Sequence, residues 1–200
     1  MSLSKRSYPS VLFSIVALML TLSGSAFAKK HDNSNFPNIK IKNFGQIDDR
    51  FYRGGQPQER DYKDLAALGV HTVIDLREDP ENYEKRDVEA LGMRYINLPM
   101  SDKDYPRNGE AEAFMKIVND PSTGKFFVHC AGGRHRTGVM GAVYRFNVYH
   151  WNFDQAYAEM EDYDFYTRWG HGNMKKFVQD YAQHAQNGLA VGAATAATKQ

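Results

Sequence analysis

The apolar positions of this 200-residue chain fall into short blocks that switch between the periods of strand and helix. From Phe44 the pattern is regular. Phe44–Ile47 and Arg50–Arg53 read as short strands joined at Asp48-Asp49, and Pro57 suits the first turn of a helix that runs to Leu68 and stops at Gly69. Val70–Leu76 is an apolar, β-branched run of the kind that forms a buried strand. Pro80 opens a charged helix that closes at Gly92, and Met93–Leu98 is another strand. After a polar stretch from Pro99 to Gly109, Glu110–Val118 reads as a helix and Lys125–His129 as a strand. Thr137–Trp151 is apolar almost all round, which predicts a buried helix. Helices over 154–162 and 173–186 follow, and the small-residue end from Gly188 predicts disorder.

Strands alternating with helices imply right-handed crossovers. The expected fold is a single α/β domain over residues 43–186, with a central, mostly parallel sheet flanked by helices, and a tail over 187–200. Ligand sites in such sheets form beyond the carboxyl ends of the strands. Cys130 and the loop after Leu98 both fall at such ends.

The first residues follow a different pattern. Lys5 and Arg6 precede an apolar run from Val11 to Leu22, and Ala26-Phe27-Ala28 closes it. A short basic region, a short apolar core and an Ala-x-Ala end describe a secretory signal over 1–28, cleaved after Ala28. The run is well short of the roughly 20 apolar residues that span a bilayer, which argues against a lasting anchor. Residues 29–42 are a polar lead-in. Losing the two cations of the signal turns the net charge from +1 to about −1. A nearly neutral chain has no global field for nucleic acid or a membrane surface, so its attraction for anions must be local. The expected location is the periplasm or the medium. Cys130, as the chain's one cysteine, can form no internal disulfide.

The local chemistry is concentrated around that cysteine. Phe126-Phe127-Val128-His129 runs into Cys130-Ala131-Gly132-Gly133-Arg134-His135-Arg136-Thr137-Gly138, an apolar strand emptying into a glycine-rich loop that opens a helix. Backbone N–H groups of such a loop curl around an oxyanion, and the helix points its positive end at it. Gly132 and Gly133 permit the left-handed conformations a nest requires. Arg136 can fork onto two phosphate oxygens. Cys130 at the loop's floor feels the dipole and the cations, which favour thiolate. Thr137 can donate to the sulfur as it leaves, and His129 is placed to orient the loop and tune Cys130. Arg134 and His135 are expected to point outward around the rim, where they would meet further phosphates or solvent. Arg77 and Arg53 could line the pocket or make structural salt bridges. Tyr163, Phe165, Tyr166 and Trp169 read as helix packing. Seven histidines are present, but none has a helix-spaced histidine or carboxylate pattern that reads as a ligand set, so the sequence predicts no metal and no cofactor.

His129 to Gly138 resembles the His-Cys-x5-Arg-Thr-Gly signature of the protein tyrosine phosphatase superfamily, and the chain's size is similar to its small dual-specificity branch, here in an exported, bacterial type. Phe51-Tyr52-Arg53-Gly54-Gly55-Gln56-Pro57 looks like that family's N-terminal strand pair, so the resemblance covers about residues 43–185. It implies phosphate monoester hydrolysis through a phosphocysteine, on phosphotyrosine and possible phosphoserine or phosphothreonine of proteins. The loop is also similar to that of plant and fungal members, some of which act on inositol pyrophosphates. The resemblance implies a mobile loop in which an aspartate, a few residues after a proline, is the general acid. In Asn97-Leu98-Pro99-Met100-Ser101-Asp102-Lys103-Asp104-Tyr105-Pro106, Asp102 fits that spacing best and Asp104 is the alternative. Two other classes compete: a sulfur-transfer or arsenate-handling enzyme, and a catalytically silent phosphate-binding module. The Arg-Thr-Gly ending and the acid loop oppose the first, and the intact Cys130–Arg136 pair opposes the second.

Overall fold

A computed structural model describes residues 34–197; the expected signal over 1–28 lies outside them. Two short strands, β1 (Gly45–Gln46) and β2 (Phe51–Gly54), pair antiparallel across the Asp48-Asp49 turn. The Asp48 carboxylate closes that turn by accepting from the Arg50 and Phe51 N–H groups, each at 2.8 Å. The strands β3 (Thr72–Asp75), β4 (Arg94–Asn97) and β5 (Phe126–His129) complete a five-stranded sheet in the order β1-β2-β5-β3-β4. The β2–β5, β5–β3 and β3–β4 pairs are all parallel, as the alternation of elements predicts. Each observed strand falls on a predicted run, with β2 extending one residue beyond it to Gly54.

The helices are α1 (Asp61–Ala67), α2 (Glu84–Ala90), α3 (Asn108–Asn119), α4 (His135–Val148), α5 (Phe153–Asp162) and α6 (Gly172–Ala197). The period-two alternation of the strands sorts them into two layers. Phe51, Ile74, Phe126 and Val128 face one core, shared with Phe114 of α3, Val139 and Val143 of α4, Met160 of α5 and Phe177 of α6. Tyr52, Val73 and Phe127 face the other, shared with Tyr62 and Leu65 of α1 and Val88 of α2. The all-round apolar α4 is buried from Arg136 to Phe146. No helix among the described residues is long and apolar enough to cross a membrane.

Several helix boundaries differ from expectation, the start of α2 at Glu84 rather than Pro80 among them. Helix α1 starts at Asp61 rather than Pro57, because the Asp61 carboxylate accepts from the Gln58 N–H at 2.8 Å and holds the preceding residues in a turn. The backbone of α6 stays helical to Ala197, past the expected end of order at Gly188; the alanine-rich composition there favours helix enough to carry it across Gly188 and Gly192.

Candidate active site

The carboxyl ends of β3, β4 and β5 converge, and their outgoing loops are stitched together. Leu76 N–H donates to the His129 carbonyl at 2.9 Å, and Met100 N–H to the Leu76 carbonyl at 3.1 Å. The Asn97 amide donates to the carbonyls of Asp75 (3.0 Å) and Arg77 (2.9 Å). The loop carrying Asp102 is thereby anchored beside the loop that leaves β5.

That second loop runs from Cys130 to the head of the 14-residue α4, with Arg136 in the first helical turn. Gly133 has φ +67°, and a Cβ there would fall within 2.5 Å of the backbone of Gly54 and Gly55, so only glycine fits. The Gly54-Gly55 backbone at the end of β2 is the loop's back wall. Fully buried Arg53 donates from Nη2 to the Gly133 carbonyl at 2.6 Å, with its guanidinium 3.8 Å from the centre of the Tyr163 ring. Asn43, itself left-handed at φ 56°, donates to the same carbonyl at 3.3 Å and to that of Tyr163 at 2.7 Å.

Cys130, Ala131, Gly132, Arg134, His135, Arg136 and Asp102 line one open cleft of about 170 Å³. Larger hollows, such as one of about 440 Å³ along α6, gather no comparable chemistry. Burial alone would raise the Cys130 thiol. The Thr137 hydroxyl, the Arg136 charge and the backbone N–H groups of Thr137 and Gly132 outweigh it and hold the thiol below its ordinary value. Iodoacetate, an anion that can dock in the loop, should therefore alkylate Cys130 at a pH where a free thiol is inert, with inorganic phosphate protecting. A rate profile that follows an ordinary thiol would contradict this environment.

Arg136 is buried, and its Nη1 donates to the carbonyls of Met100 (3.3 Å) and Leu76 (3.5 Å). With one nitrogen fixed, the planar guanidinium has a single orientation in the cleft. Asp102 shares the cleft, while Asp104 turns away, accepting from the Ser101 hydroxyl at 3.0 Å. The two carboxylates left open by the sequence are thus separated by the local turn.

Beneath the loop, His129 is fully buried, with Nε2 2.8 Å from Glu84 Oε1 and Nδ1 3.8 Å from Asp75 Oδ1. Burial would drive the imidazole toward neutrality, but the contact with Glu84 and the charge of Asp75 raise it above its ordinary value. Glu84, on α2, was not singled out from the sequence, since nothing local marks it. Asp75, Glu84 and His129 place metal-ligating atoms within 4.8 Å of one another. The Arg77 guanidinium already lies 3.4 Å from Asp75 and 3.9 Å from Glu84, however, so with His129 against the same two carboxylates the cluster reads as an ion-pair network. Arg77 and Arg53 thus support the site from behind and do not line it.

The rim departs from expectation. His135 does not reach outward: its ring stacks on that of His171 at 3.5 Å and meets Tyr166 edge-on at 4.4 Å. Burial, with the His171 and Arg134 charges, pushes it down to about 4, so the ring is uncharged at neutral pH. Arg134 does stand at the cleft, over the Tyr166 ring at 5.9 Å. Of the four aromatic residues expected to be packing, Tyr163 and Phe165 are buried, Tyr166 lines the cleft, and Trp169 is exposed. Tyr166 and His171 come from the segment between α5 and α6, whose sequence carries no phosphate-binding pattern.

A thiol on the floor of a glycine-turned loop, with an arginine in the helix that follows and this sheet behind it, defines a cysteine-phosphatase architecture. The sequence model of the family described as "DSP-PTPase phosphatase fused to NAD+ Kinase" matches residues 30–179, and the chain belongs to that family of tyrosine and dual-specificity phosphatases. The Dictyostelium discoideum protein named "Probable tyrosine-protein phosphatase DG1060" is 31% identical over 127 residues, 61% of this chain and 76% of its own length. "Inositol diphosphatase DSP5" of Arabidopsis thaliana is 25% identical over 137 residues, 65% of this chain and 66% of its length. The solved structure of P. aeruginosa TpbA has a TM-score of 0.63 at 22% identity, covering 74% of this chain and 91% of that one, a likeness of fold.

Proposed function

We propose that the protein hydrolyses phosphate monoesters of proteins, phosphotyrosine foremost, with Cys130 as the nucleophile. The observation that carries this is the convergence of Cys130, Arg136 and Asp102 on one cleft. The Cys130 thiolate attacks phosphorus in line, forming the S–P bond as the ester O–P bond breaks. Asp102 gives its proton to the departing oxygen. Arg136 and the loop amides bind the equatorial oxygens, where charge is spread in the transition state. Water, relieved of a proton by the Asp102 carboxylate, then attacks phosphorus and releases phosphate, with the Thr137 hydroxyl donating to the sulfur as it leaves. His129 keeps the floor of the loop in place.

Export belongs to the same reading and is supported by Lys5, Arg6, the Val11–Leu22 run and the Ala26-Phe27-Ala28 end. A second reading, hydrolysis of an inositol phosphate or pyrophosphate, is favoured by the name of the Arabidopsis relative and by the Arg134 charge beside the cleft.

Leaving groups test the proton donor. A phenolate, with conjugate-acid pKa about 10, departs with some help, whereas an alkoxide needs a full proton. Asp102→Asn should slow alkyl phosphates by about 10²–10⁴ and aryl phosphates by less, and should flatten the alkaline limb of the pH–rate profile. Asp104→Asn should do little. The reverse pattern would exchange the two aspartates.

A further inference from the structure

Trp169 is 77% exposed, while among the described residues the next most exposed large apolar side chains, Val148 and Tyr149, reach 42%. It also sits in the left-handed region, at φ 63° and ψ 29°, in the short turn Arg168–Gly170. A bulky residue there is strained, and nothing gained from burial offsets that strain. The turn is nonetheless fixed in place. His171 Nδ1 lies 2.8 Å from the Arg168 carbonyl, a Cβ at Gly170 would touch the Lys103 side chain at 3.7 Å, and Asn173 donates to the Lys103 carbonyl at 3.2 Å. Lys103 follows Asp102, and Tyr166 and His171, on either side of Trp169 in sequence, both line the cleft. The turn that presents the exposed indole is thus fixed between two residues of the cleft wall, Tyr166 and His171, and tied to the loop that carries the proposed acid.

A cleft of about 170 Å³ holds a phosphate and part of its ester group, so the rest of a protein substrate must run across the rim. We propose that Trp169 is a specificity-determining residue that receives an apolar or aromatic side chain flanking the phosphotyrosine of a protein substrate. This rests on the phosphoprotein reading and narrows it. An inositol polyphosphate, anionic on every side, offers an uncharged indole little to bury, whereas a peptide side chain offers an apolar face and a ring to stack on.

The chain has two tryptophans, so Trp151→Phe in a Cys130→Ser background leaves Trp169 as the sole reporter. Titration with a phosphotyrosine peptide carrying leucine on both sides should shift its emission to the blue, whereas inorganic phosphate and free phosphotyrosine should leave it in place. In the active enzyme, Trp169→Ala should lower kcat/KM for that peptide about tenfold relative to its effect on p-nitrophenyl phosphate, and Trp169→Phe should recover most of the difference. Unchanged emission at saturating peptide, a peptide that binds no tighter than free phosphotyrosine, or equal losses on both substrates would each overturn the assignment. Because the emission readout uses an inactive variant, it is independent of turnover: an enzyme that hydrolyses no phosphotyrosine substrate would fail the parent reading in the kinetic assay alone.

Discussion

Cys130→Ser should reduce turnover of an aryl phosphate by more than about 10⁴-fold while leaving the fold intact. The loop holds an anionic sulfur: the Thr137 hydroxyl, the Arg136 charge and two backbone N–H groups all favour thiolate over thiol. The same surroundings cannot ionise a serine hydroxyl, whose proton is held far more tightly. Serine is slightly smaller than the 3% exposed cysteine it replaces and keeps a hydrogen-bonding atom at the loop's floor, so circular dichroism and phosphate binding should be little changed. Phosphate release at even a few per cent of the original rate would mean that the thiol is not the nucleophile.

Arg136→Lys should lower kcat by about 10²–10³, far more than it raises KM. The loss has two sources. A lysine presents a point charge where the guanidinium presents a rigid fork, so two equatorial oxygens can no longer be held at once. Arg136 Nη1 also ties the end of β3 to the acid loop through the Leu76 and Met100 carbonyls. An ammonium on a flexible stem cannot make those contacts and reach the phosphate together, so the aspartate loop loses a support when the proton must be delivered. Steady-state kinetics on aryl and alkyl phosphates would show both effects, the alkyl substrate losing more. Near-normal rates would contradict the placement of Arg136.

The sequence spells out those parts of the site that are local. Cys130 to Thr137 are consecutive, and the same stretch that forms the loop carries the proposed nucleophile, the proposed phosphate-binding arginine and the helix that orients them. The strands were equally legible, since Val73-Ile74 and Phe126-Phe127-Val128 can be satisfied only between two apolar layers. The parallel order follows from the helices that separate the strands. Long-range contacts were not legible. His129 meets Glu84 across 45 residues of sequence, and a glutamate in a charged helix resembles any solvated glutamate until the fold seals it in. Spacing favours Asp102 over Asp104 in the sequence, but the Ser101 turn that draws Asp104 aside is visible only in the fold. His135 looked like a rim cation because loop residues usually face water, and its partner His171 arrives from beyond α5. Trp169 looked like packing because exposed tryptophan is uncommon, and the left-handed turn that keeps it out of the core leaves no mark on composition.

That Cys130 carries the phosphoryl group from substrate to water is tested most directly by rapid quench of Asp102→Asn during turnover of p-nitrophenyl phosphate. The good leaving group departs without the acid, while the missing base delays hydrolysis of the intermediate. Mass spectrometry of the quenched protein should find one phosphoryl group on the peptide containing Cys130, formed at the rate of the p-nitrophenolate burst and absent from Cys130→Ser. A turnover that leaves no phosphoenzyme, or a phosphoryl group on any residue other than Cys130, would contradict it.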